Sequence, residues 1–380
     1  MRIGFDAKRV FNNFTGLGNY SRSLILSLAD AFPEHEYILY TPKIRHRPET
    51  DAILADKRFR VVTPHGLLRG ALWRTLWVGH KLKSHGVEIF HGLSHEIPTS
   101  TKVRGIYTLV TIHDVCFKTF PEMYHWWDRI IYNWKFSYAC RHSDRIIAIS
   151  QSTKDDLHHY YGVDPGKVDV IYQPVATEYY TPIPYQEAWD LVHNAVADLP
   201  DRFILNVGSI NRRKNLLTLI KALELTPREK RPFLLVVGKG RSYQSLCEAY
   251  ITQHGLSDSV RIVSNIRDNR VLQALYTVCQ CFIYPSYYEG FGLPVVEAEL
   301  QGAPVITSNV SSLPEAAGPD ACLINPDNPD EIAQAIQDVL NNTDLRNAMI
   351  ERGQEYCRRM FDARRLARQM MDAYLKLYEG

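Results

Sequence analysis

Two carboxylates, Glu289 and Glu297, stand eight positions apart in YYEGFGLPVVEAELQGAPVITS, with Gly290, Phe291, Gly292, Leu293 and Pro294 between them. The preceding CFIYPS reads as a buried strand, and the glycine turn leads into an apolar helix with Pro294 in its first turn. Glu289 then sits on a loop at a strand's carboxyl end, and Glu297 about one turn into the helix. The free N–H groups of a helix start favour an anion. Carboxylates beside them accept hydrogen bonds from hydroxyls such as those of a sugar and a ribose. The plainer alternative makes Glu297 a partner of the helix dipole and Glu289 a solvated loop acid.

Further segments have the same strand-to-loop setting. In NVGSINRRKNLLTLIKAL a strand ends at Val207-Gly208, and Arg213 and Lys214 enter an amphipathic helix. Two cations at a helix start suit a pyrophosphate, although a basic pair on a solvated surface would look alike. In FTGLGNYSRSL, Gly16 and Gly18 precede a helix and let backbone approach a phosphate, without the full dinucleotide fingerprint. His113 and Asp114 end YTLVTIHDV, where a histidine can hydrogen-bond a substrate and titrate near neutrality. His91 and His95, in FHGLSHEIP, end the neighbouring strand and read as acceptor lining rather than metal ligands, because no carboxylate or cysteine stands at motif spacing. No D-x-D occurs in the chain, so no metal is expected and the diphosphate falls to Arg213 and Lys214.

The elements that must position these residues alternate. Candidate strands in the first half are Arg2–Ala7, Glu36–Thr41, Arg60–Thr63, Val87–His91, Gly105–Ile112, Arg145–Ser150 and Val168–Tyr172. Amphipathic stretches separate them, as with Tyr20, Leu24 and Leu28 on one face. A proline-bearing segment, Gln173–Asp201, reads as a linker. Alternation then resumes with Phe203–Val207, Phe233–Val237, Val260–Ser264, Cys281–Pro285, Pro304–Thr307 and Cys322–Asn325. The pattern predicts an α/β chain of two doubly wound, parallel-sheet, Rossmann-like domains, residues 1–175 and 201–361, facing across a ligand cleft. The final stripe of Leu366, Met370, Ala373 and Leu377 predicts a helix over 362–380 that packs back on the first domain.

A formal net charge of +2 gives no reason to expect nucleic acid, and no apolar run is long enough to span a bilayer. Seven cysteines without framework spacing suggest reduced thiols and a cytoplasmic setting. RGALWRTLWVGHKLK interleaves Arg69, Arg74, Lys81 and Lys83 with Trp73, Leu76 and Trp77. It could rest on the inner face of an anionic membrane or be an ordinary packed helix.

Together these segments resemble the family-four retaining glycosyltransferases, which have the GT-B fold. The resemblance rests on Glu289…Glu297, on Val207-Gly208 with Arg213-Lys214-Asn215, on DA…TGLGNY, on TIHD and on SNVSSLPE. It implies that Glu289 contacts the donor sugar and Glu297 the ribose, and that Arg213 and Lys214 neutralise the leaving diphosphate. Gly16 and Gly18 would approach that diphosphate, His113 would sit beside sugar and acceptor, and the main chain near Val263–Ile266 would hold the base. Many relatives carry arginine where this chain has Ser209, which throws more of the clamp onto Arg213. No enzyme nucleophile stands out, Glu289 being the nearest candidate.

The implied activity is transfer of a hexose with retention, first mannose from GDP-mannose and next glucose from UDP-glucose. The implied acceptor is a saccharide or lipid-linked saccharide of a cell-surface polysaccharide or lipopolysaccharide. A sugar-nucleotide epimerase and a non-catalytic nucleotide-sugar-binding protein of the same fold remain as rivals.

Overall fold

The computed structural model describes residues 1–64, 73, 78–99, 105–266 and 268–379. Contacts divide the chain into two units, Met1–Ala176 with Phe361–Gly380, and Thr177–Met360.

In the first unit seven short, β-branched or aromatic runs form parallel strands: β1 (Arg2–Asp6), β2 (Glu36–Tyr40), β3 (Phe59–Val62), β4 (Ile89–Gly92), β5 (Tyr107–Ile112), β6 (Arg145–Ala148) and β7 (Val168–Val170). Their order is β3-β2-β1-β4-β5-β6-β7, so the winding reverses between β1 and β4. Strand residues are almost all buried, as expected of a parallel sheet covered on both faces. One cover is the helix Ala363–Glu379, whose Leu366, Met370 and Tyr374 enter the same core as Phe5, Leu24, Leu28 and Ile89.

The second unit repeats the plan with β8 (Phe203–Val207), β9 (Phe233–Val237), β10 (Val260–Val263), β11 (Phe282–Tyr284), β12 (Val305–Ser308) and β13 (Cys322–Ile324). Their order is β10-β9-β8-β11-β12-β13, all parallel, with the reversal between β8 and β11. A separate core of Ile204, Leu219, Leu234, Ile283 and Ile306 fills it.

The segment expected to be a linker is not one. The second unit begins at Thr177, and Tyr185–Ala195 is a helix that buries Ala188 and Val192 and lies against the helix Asn269–Val278. Pro182 and Pro184 mark its start rather than a break, because proline costs nothing ahead of a helix's first turn. In the stretch Arg69–Lys83 the described residues fit the packed-helix alternative. Trp73 and Leu82 are core residues beside Tyr40 and Phe90, while Lys81 and Lys83 are exposed. Arg69, Arg74, Leu76 and Trp77 lie outside the described residues. Among the described residues no helix is long and apolar enough to cross a membrane, and all seven cysteines are free thiols.

Candidate active site

An open α/β sheet leaves a crevice at the carboxyl ends of the two strands where its winding reverses. In the second unit these are β8 and β11. The loop after β8 brings Gly208, Arg213 and Lys214, and the loop after β11 brings Glu289.

The β8 loop is shaped by its backbone. Gly208 holds φ +146°, and the Asn211 carboxamide accepts the N–H of Lys214 (3.2 Å). Residues Arg212–Lys214 form a single 3-10 turn, closed by Asn215 in the left-handed region, before the helix Leu216–Leu225. The two cations therefore sit on a tight turn ahead of the helix. Gly238, at the end of β9, completes the packing. A Cβ there would lie 1.9 Å from the Gly208 carbonyl oxygen, so only glycine fits.

Glu289 is almost wholly buried. Its Oε2 meets Arg213 Nη1 at 2.7 Å and its Oε1 meets Lys214 Nζ at 2.5 Å. Lys214 also donates to the Tyr284 hydroxyl, and Arg213 to the Tyr288 carbonyl. Ser311 and Ser312 donate to the Glu289 carbonyl oxygen (2.7 and 2.8 Å), and the Glu289 N–H returns a bond to Ser311 Oγ (3.1 Å). Burial alone would raise the Glu289 pKa, but the charges of Lys214 and Arg213 outweigh it and hold the value at about 2. So weak a base, with both oxygens on cations, is poorly suited to attack carbon. It is well suited to aim the cations.

Gly292 begins the helix Leu293–Leu300 at φ +116°, packed so closely that a Cβ would meet Leu313 at 3.0 Å and Ala316 at 3.3 Å. Pro294 offers no N–H, and that of Val295 turns back to Gly292 (2.9 Å). The helix start thus has fewer open donors than an ordinary one, which leaves Arg213 and Lys214 as the main positive charges. On this helix Glu297 accepts from the Tyr276 hydroxyl at 3.3 Å through Oε2. Burial raises its pKa to about 7, with Glu178 nearby adding to the shift. Two residues on, Glu299 is buried and accepts from the Cys357 thiol (2.8 Å). Burial raises its pKa well above the ordinary carboxylate range, and the pair fixes the helix to Thr343–Met360. Gly290, Phe291 and Leu293 line the same loop, with Phe291 inside the fold. The main-chain carbonyl of Val263, at the end of β10, accepts from the Gly238 N–H (2.9 Å).

The first unit corrects several expectations. His113 is buried and both ring nitrogens are engaged, Nε2 on the Leu93 carbonyl (2.9 Å) and Nδ1 with Gln173 Nε2 (2.8 Å). Burial and the neighbouring His95 lower its pKa to about 3, so it does not titrate near neutrality. His91 is also a neutral core residue. It bonds Tyr374 Oη (2.7 Å) and Thr111 Oγ1 (2.8 Å), which ties the C-terminal helix to the sheet rather than lining an acceptor. His95 stacks on Phe136 (4.7 Å), accepts from the His113 N–H (3.4 Å) and has a pKa lowered by burial to about 3. Asp114 accepts from the Cys116 N–H at 3.0 Å.

Gly16 and Gly18 lie inside the first turn of the helix Gly16–Ala31, not ahead of it. A Cβ on Gly18 would fall 1.8 Å from the Asn13 carbonyl oxygen, and its N–H already bonds Thr15 O and Asn13 Oδ1. A Cβ on Gly16 would meet nothing within 4 Å. Gly18 is therefore a packing glycine. Tyr284, Tyr276, Gln173 and Gly238 escaped sequence reasoning. For Tyr284 and Gly238 the signal was there, a polar or small residue ending a buried strand.

Two family descriptions match this chain: "Glycosyltransferase Family 4" over residues 14–179 and "Glycosyl transferases group 1" over residues 191–356. The chain belongs to the family-four glycosyltransferases. The transferase is 27% identical to "O-antigen chain mannosyltransferase B" of Escherichia coli, over 93% of this chain and 94% of that protein. It is 32% identical to "Serotype-specific mannosyltransferase WbdA" of Escherichia coli over 53% of its own length, which spans only 25% of that larger protein. The GT-B fold is shared with a glycosyltransferase from Rickettsia africae (TM-score 0.75, 19% identity, covering 99% and 98% of the two chains). It is shared also with WaaG, described as a glycosyltransferase of lipopolysaccharide biosynthesis (TM-score 0.70, 18% identity, covering 98% and 99%).

Proposed function

We propose that this glycosyltransferase moves mannose from GDP-mannose, with retention, to a saccharide or lipid-linked saccharide in the assembly of a cell-surface polysaccharide. The observation that carries the chemistry is the Arg213–Glu289–Lys214 triad at the β8/β11 reversal. Two cations against one carboxylate leave an excess of positive charge where a diphosphate would lie, and the surrounding low dielectric makes each charge count for more. Glu297 takes the ribose hydroxyls, and Glu289 takes a hydroxyl of the donor sugar while it aims the cations. The choice of mannose is supported by the mannosyltransferases to which the chain is similar.

As the glycosidic bond lengthens, charge accumulates on the phosphate oxygens beside Arg213 and Lys214. The acceptor hydroxyl attacks on the leaving-group face, its proton passing to the departing phosphate oxygen. Retention follows without a covalent enzyme intermediate, in keeping with the weak basicity of Glu289. The side chains supply the charge, so no metal ion is required, and turnover is expected to persist in excess EDTA. Activity lost to EDTA and restored by magnesium or manganese would overturn that part.

The donor is tested by a thermal-shift comparison of GDP-, UDP-, dTDP- and ADP-sugars, followed by transfer assays with the best binder. Stabilisation by GDP-mannose is expected, and preference for a UDP-sugar would sink the donor assignment. Conversion of donor alone to a new sugar nucleotide would identify an epimerase instead. Binding with neither transfer nor hydrolysis would identify a non-catalytic protein.

A further inference from the structure

At the reversal of the first sheet the neighbouring strands β1, β4 and β5 end in residues that touch one another. Arg9, after β1, donates through Nε to Ser94 Oγ after β4 (3.4 Å). His113, after β5, donates its main-chain N–H to the His95 ring, and the Tyr20 ring meets the His113 ring edge-on at 4.6 Å. His113 therefore belongs to the wall of the crevice that this reversal makes in the first unit.

The hydrogen bonds of the His113 ring admit one arrangement of its protons. The Leu93 carbonyl oxygen can only accept, so Nε2, 2.9 Å away, carries hydrogen. A neutral ring then has a bare lone pair on Nδ1, and the Gln173 carboxamide meets it with its N–H side at 2.8 Å. Gln173 is well held for this task. It is buried between buried Ile171 and Val175, and Pro174 keeps its backbone out of the helical region. The titratable and charged groups around the ring are His91 and His95 on and after β4, Arg9 after β1, Tyr20 of the helix Gly16–Ala31, and Asp114 beside it in sequence. His95 and Arg9 oppose a charged ring, and Asp114 favours one without prevailing.

We propose that Gln173 is a positioning residue for glycosyl transfer: its carboxamide donates to His113 Nδ1, fixes the ring proton on Nε2, and so holds a neutral ring and the loop that starts there against the crevice wall. A carboxylate in its place would demand a proton on Nδ1 as well and turn the ring into a cation beside Arg9. An apolar side chain of the same size would leave the lone pair bare and the ring free to turn. The inference rests on glycosyl transfer as the activity and not on which donor is used.

The test is NMR of the ring nitrogens in the full chain labelled at histidine, with the His113 signals identified by their loss in His113→Asn. At neutral pH Nδ1 should show the shift of a bare nitrogen and Nε2 that of a protonated one. Two protonated nitrogens in the wild type would mean that the carboxamide turns its oxygen to the ring, and would overturn the proposal. In Gln173→Glu both nitrogens should become protonated, and a ring that stays as it was also overturns it. Gln173→Met keeps the volume and removes the donor. With GDP-mannose and methyl α-mannoside its kcat should fall by about tenfold or more, while the donor KM stays within about twofold, because Arg213, Lys214, Glu289 and Glu297 lie in the other unit. A lowered melting temperature with unchanged kcat would reduce Gln173 to a packing contact and sink the proposal. A wild type that does not turn over this pair bears on the donor assignment alone, and the nitrogen spectra then decide whether Gln173 sets the proton.

Discussion

At Glu289 the penalty for burying a carboxylate opposes the attraction of Arg213 and Lys214, and the attraction wins, with the pKa held at about 2. Removing one cation therefore has two effects. Lys214→Ala should lower kcat by about 10²–10³-fold, as deleting one transition-state donor does. It should also lower the melting temperature, because Glu289 would keep a single partner in a buried site. Adding Glu289→Gln to Lys214→Ala should restore much of the melting temperature and none of the turnover. Recovery of turnover in the double variant would refute the diphosphate role.

Glu297 makes a different prediction. Its pKa is raised from the ordinary 4.5 to about 7, so it is protonated in acid and able to accept two hydroxyls only when ionised. Donor binding should favour the ionised form, and the affinity should rise by about tenfold between pH 6 and pH 8. Calorimetry across that range tests it, and Glu297→Gln should flatten the profile. A wild-type affinity that falls with pH would remove Glu297 from the ribose.

At the scale of elements, strands were legible because buried parallel strands are continuous apolar runs and differ from helices in period. Phe203–Val207 and Phe233–Val237 end where the composition says they should. The helix Tyr185–Ala195 was hidden because its flanking prolines resemble a linker and its partner helix lies more than seventy residues on. The histidines misled for a related reason. Sequence places His91 at a strand end, but its bond to Tyr374 joins residues 283 apart and only the fold reveals it.

Glycines divide likewise into those that packing demands and those it does not. Gly238→Ala should drive the Gly208 loop away and cost about 1–3 kcal/mol by overpacking, with a loss of donor affinity. Gly16→Ala should leave the melting temperature level or slightly higher, since a Cβ has room and alanine favours the helix. If Gly16→Ala nevertheless slows turnover, the helix start after Thr15 approaches a substrate; if the rate is unchanged, it does not.

At the scale of the whole molecule the chain leaves its first unit after Ala176, builds a second with its own sheet and core, and returns at Phe361. The consequences of cutting it are therefore unequal. Thr177–Met360 is continuous and carries β8 to β13, the Arg213–Glu289–Lys214 triad and Glu297. Expressed alone, it should melt cooperatively and retain donor affinity within about tenfold, because Arg213, Lys214, Glu289 and Glu297 all lie inside it. The first unit is discontinuous. Ending the chain at Met360 removes Leu366, Ala367, Met370, Met371 and Tyr374, all fully or almost fully buried, and leaves the His91 ring without its tyrosine. Losing several large core side chains at about 2–5 kcal/mol each exceeds the usual stability of a domain. The shortened chain should accordingly lose the first unit's unfolding transition while the nucleotide-stabilised transition of the second survives. Calorimetric scans with and without GDP-mannose read both together. A shortened chain that keeps two transitions, or a second unit that cannot bind any nucleotide sugar, would show that the donor site needs residues from outside Thr177–Met360 or that the C-terminal helix is dispensable.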